Sequence, residues 1–208
     1  MNAQTELEGL IARVQACRLC GNTTSAKPLP HEPRPVAWPS TTAKILIAGQ
    51  APGTKVHASG IPFDDASGDR LRDWLGVSRA EFYDRSKLAM LPIGFCFPGQ
   101  DAKGGDLPPR RECAPAWRSA FLAAMPQIEL VLAIGLYAQA WHLGGLRRAS
   151  LTETAANWRS IYDATAKPNV LAMPHPSWRN TGWLKKNPWF ATDLLPFLRG
   201  EVQRLTRD

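Results

Sequence analysis

Residues 44–53, with the sequence KILIAGQAPG, decide the fold of this chain. Residues 44–48 are an apolar run, too short for a helix and followed directly by turn residues, which predicts a buried β-strand. Two glycines and a proline come next, so the backbone must turn tightly at the carboxyl end of that strand. In an open α/β sheet, ligands bind at this edge. On its own, the stretch also fits an ordinary strand-to-loop turn.

The rest of the chain alternates between predicted strands and helices. Apolar runs bounded by turn residues predict further strands at residues 87–94, 128–134 and 169–173. Helical periodicity and capping residues predict helices at residues 4–16, 67–75, 79–84, 110–125, 136–143, 151–160 and 189–206, the second capped by Ser67 or Asp69. Alternating strands and helices indicate the α/β class. We expect a single domain over residues 1–208, a three-layer α/β/α sandwich with a four-stranded parallel central sheet.

The composition favours a polyanionic partner. The chain of 208 residues has a formal net charge of +7, which suits nucleic acid. Eight tryptophans are present, and several lie beside cations, as Trp178 lies beside Arg179. Such pairs fit a strand-binding surface, and equally a core covered by the stems of basic side chains. No apolar run reaches the length of a membrane span and no signal-peptide core is present, so we expect a cytoplasmic monomer without a membrane partner.

Four cysteines indicate a metal centre. Cys17 and Cys20 form a C-x2-C pair at the end of the first predicted helix, and Cys96 and Cys113 flank the loop after the second strand. In a cytosolic chain a C-x2-C pair is typical of metal or redox sites, and four thiolates suit zinc or an iron–sulfur cluster. Two disulfides, which the cytosol disfavours, and four unrelated cysteines are the alternatives.

His175 lies between two prolines directly after the fourth predicted strand. This rigid loop comes at the same sheet edge as residues 49–53, so the two loops are expected to face one crevice. A histidine packed in a turn is the alternative. His57 is a second candidate for the crevice, whereas we expect His31 to be exposed and His142 to be structural.

These features, in this order, resemble the uracil-DNA glycosylase superfamily, and most closely its iron–sulfur (family 4-like) branch. The resemblance covers nearly the whole chain. It rests on the C-x2-C pair, residues 49–53 as the first motif, Pro62-Phe63, the second cysteine pair, and His175-Pro176-Ser177 as the second motif. No single piece is specific, but their order and spacing together are.

The resemblance implies an enzyme that flips a deaminated base, such as uracil, out of DNA and excises it. It implies a [4Fe–4S] cluster, rather than zinc, on the four cysteines. Phe63 would stack on the base, and Gln50, Ala51 and His175 would face the leaving uracil. Gly49, Pro52 and Gly53 would belong to the loop that binds the base. The residues that would contact the DNA strand are Ser177, Trp178, Arg179, Lys185 and Lys186.

Two positions depart from the pattern of the family. Gln50 stands where the family has an acid, and glutamine can orient water but cannot act as a base; Asp64, Asp65, Asp69 and His57 are the possible replacements, and Asp65 is our choice. Pro92 and Ile93 stand near the place of the base-reading asparagine. Proline has no side-chain donor, so another group, such as Asn157, Asn169 or Asn180, would have to distinguish uracil from cytosine.

The departures leave two other functions open. One is a binding module that holds single-stranded or damaged DNA on the same fold without turnover. The other is an unrelated iron–sulfur or zinc protein with a redox or structural role. Salt-sensitive DNA binding would favour the glycosylase or the binding module over the unrelated iron–sulfur or zinc protein.

Overall fold

Four parallel strands form the centre of the molecule. The structure, a computed structural model, describes residues 2–21 and 28–207. The strands are β1 (Ile45–Ala48), β2 (Leu88–Met90), β3 (Leu130–Ile134) and β4 (Asn169–Met173), in the spatial order β2-β1-β3-β4. Every pair of neighbours is parallel. The predicted four-stranded parallel sheet is confirmed.

Helices cover both faces of this sheet. They are α1 (Ala3–Gln15), α2 (Thr54–Ser59), α3 (Ala66–Leu75), α4 (Arg79–Phe82), α5 (Cys113–Ala123), α6 (Gly135–Leu143), α7 (Leu151–Ala156), α8 (Trp158–Ala164), α9 (Thr181–Lys186) and α10 (Leu195–Thr206). Short 3-10 turns lie at Gly144–Leu146 and Trp178–Asn180, and a π-helical turn at Phe190–Leu194 leads into α10. Within the described residues, no helix is long and apolar enough to cross a membrane.

Each face of the sheet carries its own hydrophobic core. Side chains alternate between the two faces along a strand. Leu46 and Ala48 therefore belong to the core that α1 and α5 cover, whereas Ile45 and Ile47 belong to the core that α3 and α10 cover. All four side chains are fully buried. The result is the predicted α/β/α sandwich.

The order of the strands places a crevice beside β1. The chain passes from β1 to β2 on one side, and then returns to β3 on the other side of β1. The connections that follow β1 and β3 therefore diverge at the carboxyl edge of the sheet, and this is where α/β proteins bind ligands.

Several boundaries differ from the sequence prediction. β2 ends at Met90, earlier than predicted, although Leu91 and Ile93 still donate backbone hydrogen bonds to the carbonyl oxygens of Ile47 and Gly49. Helix α2 lies in a segment for which the sequence predicted no helix. The cap of α3 is neither Ser67 nor Asp69: the side chain of Asp65 accepts the hydrogen bond from the backbone of Gly68.

Candidate active site

A cleft of about 440 Å³ opens at the carboxyl edge of the sheet beside β1. It brings together most of the catalytic, base-binding and DNA-binding residues chosen from the sequence. Those that line it are Gly49, Gln50, Ala51, Pro52, Gly53, Phe63, Asp65, His175, Ser177, Trp178 and Arg179. The expectation that the loops after β1 and β4 face one crevice is therefore confirmed.

The glycine-rich loop after β1 is held by the segment that follows β2. Ile93 donates its backbone N–H to the carbonyl oxygen of Gly49, and Gly94 donates to that of Gln50, both at 2.9 Å. The parallel pairing of β1 with β2 thus continues beyond the end of β2. These two bonds fix the start of the loop, although Pro92 interrupts the regular strand.

The ring of Phe63 lies directly against this loop. A Cβ atom added to Gly49 would come within 3.3 Å of Phe63 Cζ, so glycine gives the ring its close approach to the backbone. Phe63 is partly buried and lines the cleft. Its ring therefore forms an apolar wall on which a planar base can stack.

The backbone of Phe63 is held in an unusual conformation. Its φ of 54° lies in the left-handed region, which is uncommon for an aromatic residue. The hydroxyl of Tyr83 donates to the Phe63 carbonyl oxygen at 3.1 Å, and a Cβ atom on Gly68 would lie only 1.8 Å from that same oxygen. The structure around Phe63 thus enforces a strained position, as is common in binding sites.

Asp65 lies at the cleft with one carboxylate oxygen already engaged. Oδ1 accepts the backbone N–H of Gly68 at 2.9 Å and so caps α3. This bond satisfies one of the free donors at the start of the helix. Of the other carboxylates proposed to replace an acid at Gln50, Asp64 pairs with Arg79 and Asp69 with Arg72, and neither lines the cleft.

His175 is held from both sides of its loop. A Cβ atom on Gly135, whose φ is +80°, would lie 3.9 Å from the Cβ of His175, so the histidine packs against the turn after β3. The side-chain amide of Asn180 donates to the His175 carbonyl oxygen at 2.7 Å, and Arg70 donates to the carbonyl oxygen of Ser177 at 2.8 Å. Both bonds restrain the backbone of the loop beside the cleft.

Burial lowers the pKa of His175, and the negative charges of Asp65 and Asp106 act in the opposite direction. Burial disfavours the charged imidazolium, whereas a nearby carboxylate favours it. The neutral ring is therefore the expected form near pH 7, and it offers one N–H donor to a group in the cleft.

The loop after His175 carries exposed aromatic and basic groups. Trp178 is 72% exposed, and the guanidinium carbon of Arg179 lies 5.8 Å from the centre of its ring. Lys185 and Lys186 are exposed in the last turn of α9 and do not line the cleft. Four cations or aromatics that suit a nucleic acid thus lie within one short segment.

Further residues line the cleft that were not chosen as site residues from the sequence, among them Lys55, Pro92, Gln100 and Asp106. Asp106 and Gln100 come from the loop between Cys96 and Cys113, for which the sequence predicted no role beyond joining the two cysteines. The sequence of that loop does not indicate that these two residues reach the cleft, because the path of the loop depends on contacts with distant residues. Pro92 was recognised as a departure from the family but not as part of the wall.

None of the three asparagines proposed as base-reading residues lines the cleft. The Asn157 amide donates to the carbonyl oxygen of Glu153, and the Asn169 amide to those of Tyr162 and Thr165. Asn169 is also the first residue of β4, at the opposite edge of the sheet. Asn180 supports the histidine loop instead.

The other histidines lie outside the cleft. His57 faces His31, with ring centres 4.0 Å apart, so it is not a candidate for activating water. His31 stacks on Phe97 and is only partly exposed, contrary to expectation. His142 is structural, as expected: its Nε2 lies 2.6 Å from a guanidinium nitrogen of the fully buried Arg118.

All four cysteines line one pocket, and none is in a disulfide. Burial and the neighbouring thiols raise the pKa of Cys96 to about 12, and burial likewise raises that of Cys113 to about 12. The backbone N–H of Phe95 points at the Cys113 sulfur, 3.3 Å away. Over the described residues, no group of three or more His, Cys, Asp or Glu side chains is arranged around a single metal ion.

A family model of the uracil DNA glycosylase superfamily matches residues 37–199. The match covers most of the chain and includes all four strands, the glycine-rich loop and the histidine loop. The chain therefore belongs to the uracil DNA glycosylase superfamily. The parallel sheet and the cleft at its carboxyl edge are consistent with this membership.

Proposed function

We propose that the protein is a DNA glycosylase that flips a deaminated base, such as uracil, into the cleft and hydrolyses its N-glycosidic bond. The observation that carries the proposal is the meeting of Phe63, the glycine-rich loop and His175 around one cleft. A base within a duplex is shielded by stacking, so an enzyme that acts on it must move it into such a pocket.

Hydrolysis breaks the bond between C1′ of the sugar and the base nitrogen. The electron pair of that bond leaves with the base, the oxygen of a water molecule bonds to C1′, and the water loses a proton. The site therefore needs donors for the developing negative charge on the base and an acceptor for the proton.

The side chains around the cleft suit these needs. Phe63 stacks on the flipped base, while His175 and the backbone N–H groups of Gln50 and Ala51 donate to it. Gln50 lines the cleft, and Asp65 and Asp106 are carboxylates there that can accept the proton of the water. Donors that are fixed before the reaction begins stabilise charge without having to reorganise.

The exposed segment after His175 suits the DNA strand itself. Ser177 and Arg179 are placed to contact phosphates near the cleft, and Lys185 and Lys186 to contact phosphates farther along the strand. Trp178 is exposed and can occupy the space that the flipped base leaves. A positive net charge of +7 supports binding to such a polyanion.

We also propose that the four cysteines hold a [4Fe–4S] cluster. Support comes from their meeting in one pocket without disulfides, and from the N–H group of Phe95 at the Cys113 sulfur. A polynuclear cluster separates its sulfur ligands more widely than one zinc ion does. Bound there, the cluster supplies cross-links between the end of α1, the segment after β2 and the start of α5.

The cluster is tested by composition. Protein purified without oxygen is expected to contain about four irons and as many labile sulfides per chain, with visible absorption. Cys113→Ser is expected to lose both and to unfold at lower temperature. Stoichiometric zinc in the wild type, or a metal-free wild type as stable as the variant, would contradict the proposal.

The glycosylase activity is tested by separating turnover from binding. His175→Ala is expected to slow base release by about 100-fold, the order of a lost electrostatic donor, with little change in DNA affinity. Single-turnover release and equilibrium binding are measured on one oligonucleotide. Equal losses in both would assign His175 a structural role only.

Gln50 and Pro92 favour a second candidate function, a module that binds damaged DNA without turnover. A wild type that binds DNA in a salt-sensitive manner but releases no base would support this second function.

A further inference from the structure

The loop of residues 97–109 brings a carboxylate into the cleft. Asp106 lines it, and its Oδ2 lies 3.1 Å from the place that a Cβ atom on Gly53 would occupy. The carboxylate therefore lies against the last residue of the glycine-rich loop, close to the segment where the family pattern has its acid.

The loop has internal bonds that present Asp106 in this position. Gln100 and Asp106 pair as an antiparallel bridge, and Leu107 donates its N–H to the Gly99 carbonyl oxygen at 2.9 Å. At the tip, Asp101 Oδ1 accepts the N–H groups of Lys103 at 2.8 Å and Gly105 at 2.9 Å. The turn that carries Asp106 is thus held by its own hydrogen bonds.

Gln50 contacts this element at the cleft. Its side-chain amide donates to the carbonyl oxygen of Leu107 at 3.4 Å. The residue that replaces the acid in the first motif is thus bonded to the immediate neighbour of Asp106. Gln50 itself has no basic group, but it contacts the loop that supplies a carboxylate.

Asp106 and Asp65 differ in how their oxygen atoms are engaged. Asp65 Oδ1 is committed to the N-terminus of α3 by a 2.9 Å bond. The bond that Asp106 Oδ1 receives from within residues 2–21 and 28–207 is long, 3.3 Å, and comes from the side chain of Gln100. Asp106 is also exposed, so water reaches it.

We propose that Asp106 is the catalytic base that activates the attacking water, and that Gln50 is its positioning residue. The inference rests on the proposed glycosylase activity. The Asp106 carboxylate takes a proton from the water as the water oxygen bonds to C1′. The electron pair of the broken bond leaves with the base.

The test compares isosteric variants in single-turnover base release at saturating enzyme. Asp106→Asn is expected to reduce the rate by at least about 100-fold, as for a lost general base, with DNA affinity unchanged or higher. Asp65→Asn is expected to reduce it less, because the Asp65 oxygen is engaged in capping α3 and an asparagine oxygen can accept the same bond from Gly68. Asp193→Asn is the control, because Asp193 is exposed and does not line the cleft, and this variant should match the wild type.

Two further readouts separate chemistry from structure. Formate added to Asp106→Asn is expected to restore part of the rate of base release. In the same variant, the fall of that rate at low pH, which reports protonation of the base, should disappear. The role of Asp106 as the base would be overturned if Asp106→Asn released base within threefold of the wild-type rate. It would also be overturned if the variant lost activity, formate restored none of it, and the rate still fell at low pH as in the wild type. A wild type that releases no base would overturn both the glycosylase and this assignment, whereas an active Asp106→Asn would leave the glycosylase standing.

Discussion

Replacing Gly68 by alanine is expected to destabilise the protein, although alanine normally favours a helix. Gly68 is the third residue of α3, where alanine is intrinsically better than glycine by about 1 kcal/mol. Here its Cβ would lie 1.8 Å from the carbonyl oxygen of Phe63 and 2.7 Å from the carbonyl carbon. Both atoms belong to the backbone, so the segment that carries Phe63 would have to move.

The magnitude follows from two losses. Overpacking costs about 1–3 kcal/mol, and displacement of Phe63 also weakens the hydrogen bond from Tyr83, worth about 1 kcal/mol. Against the gain in helix propensity, the net loss of unfolding free energy is about 1–3 kcal/mol. For a domain of this size, that lowers Tm by about 2–12 °C.

Gly200→Ala is the matched control. Gly200 lies inside α10, and a Cβ atom there would meet nothing within 4 Å. This variant should gain about 1 kcal/mol and raise Tm by about 2–4 °C. Thermal unfolding of the two variants, together with base release, is the assay. If Gly68→Ala melted at or above the wild type and released base normally, the placement of Phe63 against α3 would be wrong.

Three further outcomes are expected. Burial lowers the pKa of His142 from 6.5 to about 3, so below pH 6.5 the unfolded chain takes up a proton that the folded chain does not. His142 should therefore cost about 2 kcal/mol of stability between pH 7.5 and pH 5, and urea unfolding should show a much smaller loss in His142→Gln; equal losses would contradict the assignment. Asn180→Ala should slow base release about five- to tenfold through the lost bond to His175, and unchanged release would remove Asn180 as a positioning residue. Phe63→Ala should weaken binding of DNA that contains the damaged base by about 1–3 kcal/mol, but not of undamaged DNA, and an equal loss on both would argue against stacking.

The sheet was predictable because its strands are continuous apolar runs. β4 has the predicted bounds, and β1 and β3 differ only at their first residues. β2 is shorter than predicted and ends at Met90, although Leu91 and Ile93 continue the bonds to the segment of β1. Burial on both faces leaves little choice of residue in such strands, so local sequence is sufficient.

The site was predictable only where it follows a strand. The loops at residues 49–53 and at His175 could be placed at one sheet edge, because all parallel strands end there. Asp106 could not be placed there, because it lies in a loop that follows no strand directly and meets Gln50 through a contact between residues far apart in the sequence. The cap of α3 was ambiguous because several residues with capping side chains are adjacent; Asp65 is the one whose side chain accepts the Gly68 N–H.

Base excision by the purified wild type tests the central claim most directly. The protein is incubated with oligonucleotides that contain a single uracil, hypoxanthine or xanthine, and alkali then cleaves the strand wherever a base has been removed. The account predicts cleavage at the position of at least one of these bases, and none in the matched undamaged strand. A protein that binds the same oligonucleotides but leaves all of them intact would contradict the glycosylase and identify a binding module on this fold.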